Sequence, residues 1–111
     1  MSLTDEQMWE ALSGTRPYTV VILTKTALYG TAEGKRAVWE HGRRNFDLRA
    51  SGRLAVVCPV ADDSAVSGVG IFATDEGDTR ALMDDDPAVR AGVFDYHIHP
   101  TRSFPGDALP T

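Results

Sequence analysis

The chain has 111 residues, of which 42 per cent are hydrophobic and 24 per cent are charged, close to the globular average. This length fits one domain that buries about two-thirds of its unfolded surface, so disorder and membrane insertion are disfavoured. A net charge of −5 gives no footprint for nucleic acid, and a single cysteine, Cys58, fits a reducing compartment. The acidic N-terminal stretch lacks the pattern of a secretory signal, so we expect a cytoplasmic protein without membrane or nucleic-acid partners.

The N-terminal stretch predicts a short helix. Thr4 and Gln7 match the capping box, in which each side chain accepts a hydrogen bond from the other residue's backbone amide. The helix is expected over residues 4 to 13 and to end at Gly14. Its apolar side chains indicate that it docks on the domain or on a partner subunit. A run rich in β-branched residues, Tyr18 to Thr24, predicts the first strand.

A longer helix is predicted to end near Ser51, after a glycine- and threonine-containing loop at residues 27 to 34. Its apolar arc is expected to contain Val38, Trp39, Gly42, Phe46 and Leu48. Within the arc that should face the core, the spacing of four residues places three polar side chains in one ladder: His41, Asn45 and Arg49. Polar groups facing a core need hydrogen-bond partners, so this ladder is the first candidate site.

The residues after this helix predict two strands. Gly52 is expected to cap the helix, and Leu54 to Cys58 reads as a strand buried on both faces and ended by Pro59. A polar loop over residues 61 to 68 should lead to the third strand, Val69 to Ala73.

The last third of the chain predicts a helix, a helical turn and a strand. Thr74 or Asp75 can cap a helix that runs through Met83. Asp86 is expected to cap a short turn that begins at Pro87. Residues 93 to 99 alternate in polarity and form the predicted fourth strand. The proline-containing residues 101 to 111 show no period and are expected to lie over the surface or a partner.

The order of strand, helix, strand, strand, helix, strand predicts an α+β protein of ferredoxin-like split βαββαβ topology. We expect a four-stranded antiparallel sheet with both helices on one face, and an extra N-terminal helix. The expected single domain, residues 1–111, comprises a helical extension (1–16), a core (17–100) and a proline-rich tail (101–111). Because the strands have apolar residues on both faces, a second copy packed sheet to sheet is the simplest cover for the open face, which predicts a homodimer.

Four short motifs carry a resemblance to a known family. They are His41, Gly52-Arg53-Leu54, Cys58-Pro59, and Asp85 to Val93. With them, residues 17 to 100 resemble the YCII-related family. The resemblance implies a dimeric α+β barrel in which a histidine of the first core helix, here His41, and an aspartate before a proline, here Asp86, form the site. It also implies acid–base chemistry on small organic molecules, including dehydrochlorinase-type elimination on a hydroxylated aromatic ring.

The candidate site residues each have two interpretations. His41 fits a general base or acid because imidazole titrates near neutrality, and Asp86 can orient it. The alternatives are a hydrogen-bonded core histidine and an aspartate that only caps a helix. Asn45 and Arg49 are candidate contacts for an anionic or hydroxylated substrate. Arg49, however, also suits the last turn of a helix, where a cation is favoured by the helix dipole.

Other residues are weaker candidates for chemistry. Asp95, His97 and His99 share one face of the fourth strand, a partial metal-site pattern that lacks a further ligand, and we predict neither a metal nor an organic cofactor. Cys58 is expected to be a packed, inert thiol.

Two functions remain open from the sequence. The first is a lyase- or isomerase-type enzyme that acts on a small-molecule substrate through His41 and Asp86. The second is a non-catalytic module on the same barrel that binds a small molecule or serves another protein. Retention of ligand binding without turnover after replacement of His41 would favour the module.

Overall fold

The computed structural model describes residues 2–111, and in this part of the chain it contains a four-stranded antiparallel sheet and four helices. The helices are α1 (Asp5–Ser13), α2 (Ala32–Ala50), α3 (Glu76–Asp84) and α4 (Pro87–Arg90). The strands are β1 (Arg16–Lys25), β2 (Leu54–Pro59), β3 (Val66–Phe72) and β4 (Phe94–Ser103). The strand order is β2-β3-β1-β4 with antiparallel neighbours, so the predicted α+β class and antiparallel sheet are confirmed. Among these residues no helix combines the length and apolar character needed to cross a membrane.

Local capping explains where the helices begin. The predicted box of Thr4 and Gln7 is present at α1, and Gly14 ends that helix. Helix α2 begins earlier than predicted, because the Thr31 side chain accepts a hydrogen bond from the Gly34 amide and caps a stretch that we assigned to a loop.

The hydrophobic core lies on one face of the sheet. Val21 and Leu23 on β1 and Phe72 on β3 are buried there. The helices contribute Leu48, Met83 and Ala88 to the same cluster. Helices α2, α3 and α4 therefore cover one face of the sheet. A cavity between α2 and the sheet lies between a helix layer and a strand layer.

The opposite face of the sheet is only partly covered. Val20 and Ile22 on β1 pair with Ile71 and Val69 on β3, and all four side chains are half-buried. The strand β4 adds to this face the exposed polar side chains of Asp95, His97 and His99. We call this surface, from Val20 and Ile22 across to β3 and β4, the open sheet face.

The prediction that residues 54 to 58 are buried on both faces is wrong. The strand β2 pairs only with β3 and therefore lies at an edge of the sheet. Leu54 is buried, but Ala55 and Cys58 are exposed. The predicted packed thiol is thus a thiol at the surface of a single chain, because a run of apolar residues does not distinguish a central strand from an edge strand.

The apolar arc predicted for α2 is also partly wrong. Trp39 is 71% exposed and Phe46 is 67% exposed. The buried residues of the helix are Gly34, His41 and Leu48, separated by seven residues, which is close to two turns. Trp39 and Phe46 are also seven residues apart and lie together on another side of α2. Helical periodicity alone therefore did not show which of the two sides is buried.

Helix α1 and the ends of β1 and β4 project from the body of the molecule. The strand β4 continues to Ser103, beyond the predicted end at residue 99, because Thr101 to Ser103 pair with Arg16 to Tyr18. No residue of α1 is buried. The radius of gyration is 16.3 Å and the longest dimension is 55 Å. A compact domain of this length has a radius of gyration of about 13 Å. The projecting segment therefore accounts for the larger observed value and for the elongated shape.

Candidate functional site

The site is organised by a buried contact between α2 and the start of α4. His41 Nδ1 lies 2.7 Å from Asp86 Oδ1, although the two residues are 45 positions apart in the chain. His41 is 9% exposed and Asp86 is 1% exposed. Helix α2 carries the imidazole inward, and the chain turn before Pro87 brings the carboxylate to meet it. The structure therefore brings together the two residues that we predicted as the catalytic pair.

Asp86 is held by its second role as the cap of α4. Its Oδ2 accepts hydrogen bonds from the backbone amides of Ala88 at 3.0 Å and Val89 at 3.2 Å. Burial raises the pKa of the Asp86 carboxyl. The hydrogen bond from His41 and its electrostatic attraction, together with the two amides, act against burial and leave that pKa below its usual value. Asp86 is thus an ionised acceptor in a fixed position.

The contacts of His41 favour one tautomer. An ionised Asp86 can only accept, so His41 Nδ1 carries the proton and donates it. On the other side of the ring, the Asn45 Nδ2 amide lies 3.2 Å from His41 Nε2 and donates to its lone pair. The edge-to-face contact with Phe94, with ring centroids 5.2 Å apart, fixes the ring plane. This neutral form places the basic lone pair at Nε2.

A cavity of about 270 Å³ lies between α2 and the sheet, beside this pair. His41 and Asn45 line it, and most of the remaining lining is apolar. Gly68 and Gly70 on β3 face the cavity because they pair with the core residues Leu23 and Val21. Two glycines on a buried strand face leave space that larger side chains would fill. The volume is near the lower end of ligand sites, which suits one small organic molecule.

Arg44 belongs to the site and was not singled out by the sequence. Its Nη1 donates to the Leu82 carbonyl at 2.7 Å and lies 3.7 Å from Asp86 Oδ1. Its side chain is largely buried, although helical periodicity placed it on the polar side of α2. The available signal was its spacing of three residues from His41, which places the two side chains on neighbouring parts of one helix face.

The other candidate residues lie away from the pair. Arg49 is exposed, does not line the cavity and contacts the Phe46 ring, so the predicted ladder of three is reduced to His41 and Asn45. Eight residues make more than two full helical turns, so the Arg49 side chain points in a different direction from that of His41. Arg49 also lies near the end of α2. His97 and His99 lie on the open sheet face. Within residues 2–111, no three His, Cys, Asp or Glu side chains are grouped to hold a metal ion.

The arrangement can perform proton transfer without further groups. A neutral imidazole accepts a proton at the Nε2 lone pair once the Asn45 amide releases it, and the adjacent carboxylate stabilises the imidazolium that forms. The largely apolar lining of the cavity lowers the local polarity, which strengthens both interactions. No protein-family model matches the chain, and no curated protein is significantly similar to it. The geometry of this site is therefore the basis for assigning a function.

Proposed function

We propose that this protein is a small cytoplasmic enzyme of the lyase or isomerase kind. In this proposal the His41 side chain transfers a proton, and Asp86 orients the His41 ring. The observation that supports the proposal is the buried 2.7 Å contact between His41 Nδ1 and Asp86 Oδ1 beside a cavity. A core histidine that served packing alone would not need a buried carboxylate, which costs free energy to desolvate.

The chemistry begins when His41 Nε2 removes a proton from a carbon of the substrate. In an elimination of the dehydrochlorinase type, the C–H bonding pair becomes the new π bond. The leaving group then departs from the adjacent carbon with its own bonding pair. In an isomerisation, His41 returns the proton to another carbon of the same molecule. Asp86 stays ionised and stabilises the imidazolium between the two steps.

The cavity supports a small, largely apolar substrate with one or two polar groups. Asn45 is the proposed substrate-binding residue, since its amide lies beside His41 Nε2 and lines the cavity. A hydroxylated aromatic ring, which the resemblance to the YCII-related family implies, fits this combination. Arg49 is left out of the proposed site because it lies outside the cavity of the single chain.

The same proposal includes a ferredoxin-like split βαββαβ fold and a homodimer that forms an α+β barrel. The strand order β2-β3-β1-β4 is the order that this topology requires. The half-buried apolar side chains on the open sheet face support a second copy as the cover.

The experiment is turnover of a panel of small hydroxylated aromatics and lactones, with exchange of substrate C–H for deuterium from D₂O as a second readout. We expect His41→Gln to lower turnover and exchange by about 10²- to 10⁴-fold. Asp63→Asn is the control, because Asp63 is exposed between β2 and β3 and does not line the cavity. A panel member that binds both wild type and His41→Gln but is neither converted nor exchanged would favour the non-catalytic module.

A further inference from the structure

Helix α1 exposes an apolar surface that the rest of the described chain borders only at one edge, where Trp9 and Leu12 share a shallow groove with Phe104. Trp9 is 73% exposed, and Met8 and Leu12 are also exposed. No other helix or strand within residues 2–111 packs extensively on α1. All the charged side chains of α1 are acidic, and its last turn has no basic residue. It is an acidic, amphipathic helix presented at one end of an elongated molecule.

Helix α2 exposes a surface of complementary character. We define the basic aromatic stripe as Lys35, Val38, Trp39, Gly42, Arg43 and Phe46, which together line one shallow groove along the helix. Two large aromatic side chains lie in solvent there. Arg43 contacts Glu40, but both side chains are exposed and such a pair contributes little, so Arg43 remains available to a stronger partner.

We propose that α1 of one copy packs along the basic aromatic stripe of a second copy. The apolar residues of α1 cover Trp39 and Phe46, and its carboxylates face Lys35 and Arg43. The dimensions agree, since the nine residues of α1 extend about 13 Å and the stripe from Lys35 to Phe46 extends about 16 Å.

The contact is not made within one chain, in which α1 does not pack extensively on α2. Helix α1 precedes the first residue of β1, whereas Lys35 lies in the first turn of α2, which follows the last residue of β1. The ten residues of β1 extend about 33 Å, so the Lys35 end of the stripe lies far from α1. Pairing of two basic stripes, or of two α1 helices, would bring like charges together, which costs affinity. The second copy's α1 is therefore the occupant that charge favours.

Zero-length carbodiimide cross-linking tests the contact directly, because it joins carboxylates to amines that touch. Lys25 and Lys35 are the lysines of the chain, and Lys25 at the end of β1 serves as the internal control. With equal amounts of ¹⁴N- and ¹⁵N-labelled full-length protein, we expect mixed-isotope cross-links from Glu6 or Glu10 to Lys35. Absence of these cross-links, or cross-links from α1 to Lys25 alone, would overturn the proposal.

Charge reversal supplies an independent test. We expect Glu6→Lys with Glu10→Lys, and separately Lys35→Glu with Arg43→Glu, to weaken self-association by about tenfold each in sedimentation velocity. The variant with all four changes should return to within about threefold of wild type. Asp63→Lys with Asp78→Lys controls for net charge, since both residues are exposed elsewhere. Failure of the fourfold variant to recover, or equal weakening in the control, would show that α1 binds something other than this stripe.

Discussion

Asp86 combines two roles at the scale of a single residue, because one carboxylate oxygen binds His41 and the other caps α4. A carboxylate fixed by two backbone amides has little freedom to turn away from the imidazole. Orientation of this kind reduces the rearrangement needed when charge develops on the ring. The cap thus also holds the partner of His41 in place in the proposed mechanism.

Replacing Asp86 by asparagine separates these roles. Asparagine caps a helix about as well as aspartate, so we expect α4 to remain intact. Its amide would then donate to His41 Nδ1, which shifts the proton to Nε2 and removes the basic lone pair from the cavity. We expect turnover to fall by about 10²-fold or more. The ¹⁵N shifts of the His41 ring report the tautomer without any substrate.

The matched control for that change is Asp75→Asn. Asp75 is exposed and caps α3 through the Asp78 amide, so this change tests an aspartate cap away from His41. We expect this variant to keep both the wild-type tautomer and the wild-type turnover. A stable Asp86→Asn protein in which the His41 tautomer stays unchanged would contradict the proposed pairing.

The lowered pKa of Asp86 predicts an acid-dependent stability. A carboxyl whose pKa is lower in the folded state contributes stability that is fully present above its unfolded pKa, about 3.9. That contribution is lost as pH falls through the folded-state pKa, because protonation then occurs in both states. We expect the free energy of unfolding of the wild-type protein to decrease below about pH 4. The difference in this free energy between wild type and Asp86→Asn should become smaller in the same pH range. Urea unfolding between pH 2 and 7 measures both. A difference that is independent of pH would contradict the assigned charge.

Local sequence patterns predicted the helix cap formed by Asp86 but not its contact with His41. The dipeptide Asp86-Pro87 predicts a helix start from local chemistry alone, and the structure confirms that cap. The contact with His41 spans 45 positions, and no local pattern specifies it. Resemblance to a family suggested the pair, whereas Arg44 had no such support and was missed. Buried polar contacts between distant segments depend on packing that single-sequence patterns do not contain.

At the scale of elements, α2 contains two glycines in different surroundings. A Cβ at Gly34 would lie 2.0 Å from the Leu28 carbonyl oxygen, which is backbone and cannot move away cheaply. A Cβ at Gly42 would meet nothing within 4 Å. The first glycine is therefore required for the close approach of the loop to the helix, and the second is not required by contacts within the chain.

Alanine at these two positions should have opposite effects on stability. We expect Gly34→Ala to destabilise the protein by about 2 kcal/mol or more, as other backbone clashes in packed regions do. Gly42→Ala should stabilise it by about 0.5–1 kcal/mol, because alanine loses less conformational entropy in a helix. Denaturation of both variants at concentrations low enough to keep the protein monomeric checks this, and a loss of stability in Gly42→Ala would contradict the open space at that glycine.

Helix caps were predicted more accurately than helix faces. Thr4 and Asp86 cap helices as predicted, and of the two candidates Thr74 and Asp75 it is Asp75 that caps α3. The outward direction of Trp39 was mispredicted because an aromatic residue at helical spacing favours burial by default. The period of one helix does not specify which neighbouring elements cover each of its faces.

At the scale of the whole molecule, the open sheet face predicts a homodimer. We expect light scattering at micromolar concentration to give about twice the chain mass of 12.0 kDa. Ile22→Lys should return the mass to that of one chain, because a lysine at the centre of the face would be buried without a partner. Leu109→Lys, an equally apolar change in the exposed tail, is the control. A wild-type mass of one chain would contradict the dimer.

The shared carboxylate also makes the site observable without a substrate. The amides of Ala88 and Val89 are protected from solvent exchange only while Asp86 accepts their hydrogen bonds. Opening of α4 releases these two amides and His41 together, since one side chain holds all three. Their rates of hydrogen–deuterium exchange therefore measure how often His41 and Asp86 come apart, in the resting protein and at any temperature.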